Sequence, residues 1–182
     1  MIYVALLRGI NVGGNNKMDM KQLKISFERA GMNNVVTYIN SGNIIFAHDS
    51  LSKAHIASIL ETAILEDFGL QIKVLVLDLH DMNRILASLP ESWTNDDQMK
   101  SDVLFLREEI DHESVLDKLV IKPDIDSVIY VPGAILWSVS RQHVTKSGMS
   151  KMIGTEIYRK TTIRNVKTTR KIYELMLANG VK

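Results

Sequence analysis

The chain opens with an unbroken apolar run, Ile2–Leu7, closed by Arg8-Gly9, which is the pattern of a strand buried on both faces. A polar stretch rich in Gly and Asn follows as far as Lys17. Met20, Leu23, Phe27 and Ala30 then recur at helical spacing. Asp19 and Gln22 are spaced as a capping box at the start of that helix, Met18 is placed to staple onto Leu23, and Gly31 supplies a left-handed stop. Val35–Asn40 and Asn43–Ala47 read as two strands of a hairpin turning at Ser41-Gly42. Ser50 is positioned to cap a helix with Ile56, Ile59, Leu60, Ala63 and Ile64 on one face, which Gly69 ends. A strand is predicted at Gln71–Asp78 and a short helix from Asp81 to Leu89.

The polar stretch Pro90–Lys100 reads as a linker, and beyond it the order of elements recurs. Val103–Arg107 mirrors Val4–Arg8, and Ser114–Leu119 stands where the first helix stood. Val128–Leu136, turning at Pro132-Gly133, mirrors Val35–Ile45. A helical stretch near Ser150–Tyr158, a short strand near Thr161–Ile163 and a helix from Val166 to Ala178, capped by Asn165 and stopped by Gly180, complete the second half. The fold class this predicts is α+β, as two tandem ferredoxin-like (βαββαβ) units with antiparallel sheets and helices packed on one face, spanning 1–92 and 93–182. The recurrence of a strand ending in an apolar-apolar-Arg triplet favours duplication. Glu108–His112 replaces the whole Gly9–Met18 segment in the second half, so the first loop carries something the fold does not need.

Composition narrows the picture. With 46% hydrophobic and 24% charged residues, the 182-residue chain has the makeup of a folded domain. Without cysteine it has neither disulfides nor thiolate chemistry. No apolar run approaches the roughly 20 residues of a membrane span, and the N-terminus has no secretory pattern, so a cytoplasmic protein is expected. The net charge of +1 conceals an uneven distribution. Residues 61–126 carry 16 acidic against 6 basic side chains, and residues 141–182 carry 10 basic against 2 acidic. Such segments neutralise one another, attract a second copy, or leave a basic face for an anionic partner.

Three segments, Ala5–Gly14 (Ala-Leu-Leu-Arg-Gly-Ile-Asn-Val-Gly-Gly), Thr37–Asn43 (Thr-Tyr-Ile-Asn-Ser-Gly-Asn) and Thr162–Thr168 (Thr-Ile-Arg-Asn-Val-Lys-Thr), resemble the signature of the bacterial family catalogued as domain of unknown function 1697. Members of that family commonly have Gln at the position of Asn40 and Trp at the position of Val166. The resemblance implies neither a reaction nor a cofactor.

The candidate chemistry lies at strand ends. Gly9, Gly13 and Gly14 permit positive φ and close approach of a ligand, Asn11, Asn15 and Asn16 add amides, and Arg8 and Lys17 add positive charge. Backbone N–H groups of such a loop cradle anions. The spacing is that of neither a dinucleotide fingerprint nor a P-loop. Asp19, as the helix cap, counters an anion seated directly on the helix N-terminus. A long turn that needs its glycines, with Arg8 paired to a carboxylate, explains the same residues. Ser41 lies in what a hairpin turn alone requires, or projects over a ligand of the first loop. Arg164, Asn165 and Thr168 combine a guanidinium with a helix start, or serve as a pair with one of the acidic residues in the middle of the chain, a cap and a local bond. The expected ligand-binding set is therefore Arg8, Asn11, Gly13, Gly14, Ser41, Arg164, Asn165 and Thr168, converging on one pocket between the halves. Three functions compete: binding or turnover of a phosphorylated or anionic small molecule, nucleic-acid binding through residues 141–182, and self-association. The five histidines never fall at i, i+4, no G-x-S-x-G elbow occurs, and aromatics at 6% do not interleave with the basic residues. Metal sites, an elbow nucleophile and an RNA-stacking sheet are thus not expected.

Overall fold

The computed structural model describes residues 1–180. Strands β1 (Ile2–Leu7), β2 (Asn33–Tyr38), β3 (Asn43–Ala47) and β4 (Val74–Asp78) form one antiparallel sheet in the order β2-β3-β1-β4. Strands β5 (Met99–Leu106), β6 (Asp126–Val131), β7 (Ala134–Ser140) and β8 (Thr161–Asn165) form a second, in the order β6-β7-β5-β8. The helices are α1 (Met20–Arg29), α2 (Lys53–Phe68), α3 (Leu79–Ser88), α4 (Met149–Met152), α5 (Glu156–Arg159) and α6 (Val166–Asn179). Backbone contacts gather the chain into two units, Met1–Met82 with the segment from Ile172 on, and Asn83–Lys171. That division runs through α3 and α6 rather than through the polar stretch at 90–100.

In the first unit, Tyr3, Ala5 and Leu7 on one face of β1 join a core with Leu23 and Phe27 of α1 and Ile56, Leu60 and Ile64 of α2. Val4 and Leu6, which point to the other face, are equally inaccessible, as an apolar run without alternation requires. Helix α1 begins as its sequence dictates, with Asp19 accepting from the N–H groups of Lys21 and Gln22. Gly31 follows it with φ at 95°. In the second unit, Leu104, Leu106, Ile135 and Trp137 face Met152 and Ile157.

Several local expectations are corrected. The cap of α2 is Ser52, whose hydroxyl accepts the His55 N–H, while the Ser50 N–H turns to His48 Nδ1. Strand β2 ends at Tyr38 because Ile39 is left-handed (φ 50°), so the turn runs over four residues, Ile39–Gly42. Strand β4 starts at Val74 rather than Gln71. The expected helix at 114–119 is instead a 3-10 segment, Glu113–Lys118, in a stretch crowded with like charges that destabilise an α-helix, and a second one, Glu108–Ile110, lies in the short loop before it. The expected helix near 150–158 is broken into α4 and α5, since Gly154 is left-handed (φ 88°) and Thr155 caps a new start at Glu156 by accepting the Tyr158 N–H.

Candidate functional site

The loop after β1 is a small sprung hairpin. The Asn15 N–H donates to the Val12 carbonyl, and the two tip residues both have positive φ, Gly13 at 57° and Gly14 at 79°, as the tightest hairpin turn requires. Gly9, Asn11 and Asn16 are also left-handed. Two asparagine side chains fasten this backbone. Asn11 donates to the carbonyls of Met18 (3.0 Å) and Asn40 (2.8 Å) and accepts the Met18 N–H (2.8 Å). Asn16 donates to the Gly9 carbonyl (2.9 Å). Residues 12–17 are exposed, and no partner for the N–H groups of Gly13 or Gly14 is present among the described residues.

The loop rests on the turn between β2 and β3. The Leu7 N–H donates to the Gly42 carbonyl, and Asn11 reaches Asn40 from above. Gly42 is the one glycine here that close approach demands: at its φ of 84°, a Cβ would lie 2.8 Å from both Ile10 Cδ1 and Leu7 Cβ. Ser41 accepts from the Asn43 amide, which also reaches the Tyr38 carbonyl, so this turn is internally tied. Between loop and turn lies an open depression of about 370 Å³ lined by Asn11, Gly14, Lys17, Met18, Asp19, Met20 and Asn40.

Of the residues expected to bind a ligand, Arg8, Asn11, Gly13, Gly14 and Ser41 belong to the first unit, and Arg164, Asn165 and Thr168 to the second. Asn11 and Ser41 are brought to one corner through the bond from Asn11 to Asn40. Asn165 Oδ1 accepts the Thr168 N–H (2.8 Å) as the cap of α6. Arg164 lies on β8 opposite Val103, is 9% exposed and donates to the Ile163 carbonyl. Burial pushes its guanidinium down to about 10, which leaves it a cation at neutral pH.

Two clusters in the second unit escape sequence reasoning. Asp126 is buried and collects the Trp137 indole N–H, the Ser147 hydroxyl and the N–H groups of Gly148 and Lys122. Burial pushes its pKa up, but these donors outweigh it and hold the carboxyl below the usual Asp range. Lys100 and Asp102 form an ion pair on the core side of β5, in a cavity of about 250 Å³. Their signal is strand alternation, which sets both on the face of Leu104 and Leu106. Among the described residues, no group of three His, Cys, Asp or Glu side chains is arranged to hold a metal, and no helix is long and apolar enough to cross a membrane.

The family described as "Protein of unknown function (DUF1697)" matches residues 1–137. The chain belongs to this family. The match covers the first loop and the Thr37–Asn43 turn, while Thr162–Thr168 lies beyond it. Among solved structures, the DUF1697 chain resembles the conserved bacterial protein SP0830 from Streptococcus pneumoniae, at 33% identity and a TM-score of 0.82, over 96% of this chain and 98% of that one. No curated protein sequence matches it.

Proposed function

We propose that the loop at residues 8–17 binds a phosphorylated or otherwise anionic small molecule. The observation that carries this reading is the exposed Gly13-Gly14 tip, held rigid by Asn11 and Asn16 over a depression that includes Lys17. Outward N–H groups of left-handed residues attract oxyanions, and a tip already fixed in shape loses little entropy on binding. Asp19 occupies the N-terminus of α1, so the ligand's charge is met by the tip and Lys17 rather than by the helix. In this reading Asn11 holds the loop, because its three side-chain bonds all go to backbone.

The test is a thermal-shift screen of nucleotides, sugar phosphates and phosphorylated coenzymes. A ligand present at about 100 times its Kd stabilises by about 2.7 kcal/mol. Lys17→Glu is expected to abolish that stabilisation, and Arg8→Ala to weaken it. Protection undiminished in Lys17→Glu, or no protection by any member of the panel, overturns the reading.

The basic region 141–182 supports nucleic-acid binding less well, because four of its cations are held in place by local bonds. Arg141 donates to the Asp96 carbonyl and the Asn95 amide, Arg170 to the carbonyls of Trp93 and Pro90, Arg159 to Gly154, and Lys160 pairs with Glu156. The same proposal treats residues 1–92 and 93–182 as duplicated ferredoxin-like units. The support is the order β-α-β-β-α-β over residues 2–78 and the matching strand orders of the two sheets. A cytoplasmic location completes it, which the lack of cysteine suits.

A further inference from the structure

The core face of the second sheet departs from apolar character at one end. Along β5, Leu104 and Leu106 meet Trp137 and Ile163 in the core, but the same face continues with Asp102 and Lys100. In register, Asp102 stands beside Trp137 and Lys100 beside Val139. Asp102 is 4% exposed, and its Oδ2 takes the Lys100 ammonium. Two charged residues at inward strand positions break the pattern that the rest of β5 obeys, and such breaks concentrate where a protein does something other than fold.

Opposite this pair the second unit lacks a counterpart to the 16-residue α2. The chain supplies the 3-10 segment Arg141–Lys146 and then two four-residue helices parted at Ile153-Gly154. These short pieces leave the cavity of about 250 Å³, walled by Val139, Val144, Met149, Met152, Ile153 and Ile163. The serine hydroxyls at its edge are committed: that of Ser147 donates to Asp126 and that of Ser150 to the Ser147 carbonyl.

We propose that this cavity binds a small neutral amphipathic molecule, with a short aliphatic or single-ring body and one head group that both donates and accepts hydrogen bonds. The apolar walls take the body, and two methionines let them adjust to its shape. The volume, below the ~300–1,000 Å³ of pockets for drug-sized ligands, limits that body to a few carbons or one ring. The head meets a pair of zero net charge, whose ammonium offers further donors and whose carboxylate offers further acceptor sites. An amide or hydroxyl satisfies both partners without separating them. A carboxylate or an amine meets a pair that is already neutral, so nothing there offsets the cost of desolvating its own charge.

Methionine-methyl NMR tests this on the intact protein. Of nine methionines, Met149 and Met152 line the cavity, and their signals are assigned with Met149→Leu and Met152→Leu. Titration with hexanamide is expected to shift those two signals saturably, with hexanoate and hexylamine at least about tenfold weaker, since each carries a charge the site leaves unpaired. The double variant Lys100→Met with Asp102→Leu is expected to erase that preference, and if it does not fold, the titration of the unaltered protein decides alone. No saturable shift at Met149 and Met152, shifts confined to other methionines, or equal binding of the charged analogues overturns the proposal.

Discussion

Single residues set the tightest constraints in this molecule. A Cβ on Gly148 would lie 1.6 Å from the Val120 carbonyl oxygen, a contact with backbone that no rotamer relieves. Gly148→Ala is expected to destabilise by about 3 kcal/mol, the upper end of overpacking costs, in urea unfolding. Asn11→Asp keeps the acceptor for the Met18 N–H but sets an oxygen against the carbonyls of Met18 and Asn40. It is expected to cost about 1–3 kcal/mol and to raise hydrogen exchange across residues 9–18. Asp126 links packing to pH. Its folded carboxyl titrates below the ordinary 3.8, so its contribution is complete above that value and is lost as pH falls through the lower, folded one. Asp126→Asn faces amide hydrogens toward the N–H groups of Gly148 and Lys122. The variant is expected to lose stability at neutral pH and to show a shallower acid limb when unfolding is followed against pH.

At the scale of elements, the two units solve the same covering problem differently. Helix α2 carries Ile56, Leu60 and Ile64 at four-residue intervals and is closed by left-handed Gly69, so one unbroken face seals the first core. The second unit meets the corresponding need with a 3-10 segment and two single-turn helices. Leu60→Ala is therefore expected to cost about 2–5 kcal/mol, because a close-packed helix face does not collapse into the void. For α6, Asn165 serves both as the last residue of β8 and as the cap, holding the Thr168 N–H. Asn165→Ala is expected to cost about 1 kcal/mol by thermal unfolding, the ordinary value of a lost cap. These starts and stops were legible because capping depends on residues three apart. The break at Gly154 and the 3-10 form of 113–118 were not, since periodicity alone does not say whether a stripe of apolar residues will be spent on one helix or two.

For the whole molecule, the pH limits of stability follow from groups in both units. Asp67 is held below the usual range by hydrogen bonds from Ser26 and Arg29, and Asp96 by the Met99 N–H, the Thr94 hydroxyl and the Gln98 N–H. With Asp126, both lose their favourable contribution as acid protonates them. On the alkaline side, burial and the hydrogen bond to Asp111 push the Tyr130 phenol up to about 12. A raised phenol contributes fully below its unfolded value of 10.0 and is lost as pH climbs toward the folded one. Tyr130→Phe is expected to flatten the alkaline limb of a stability profile while leaving the acid limb unchanged. Of the basic side chains near the C-terminal end, Lys160 is offset by Glu156, whereas Arg141, Arg159 and Arg170 are held by neutral oxygens and keep their charge.

The sequence by itself determined the strands, the two principal helices, their caps at Asp19 and Asn165, the tight turns and the family, because these rest on periods of two and 3.6 residues and on neighbours a few positions apart. Tertiary structure alone decided the roles of the polar side chains. Asn11, a ligand candidate by sequence, also ties the loop in place, since its bonds reach Met18 and, 29 residues away, Asn40. Lys100 looked like the end of a linker and stands with Asp102 in a cavity, since its walls come from residues as far on as Ile163. A hydrogen bond or a cavity wall depends on which distant segments the sheet order brings together, and no local pattern records that.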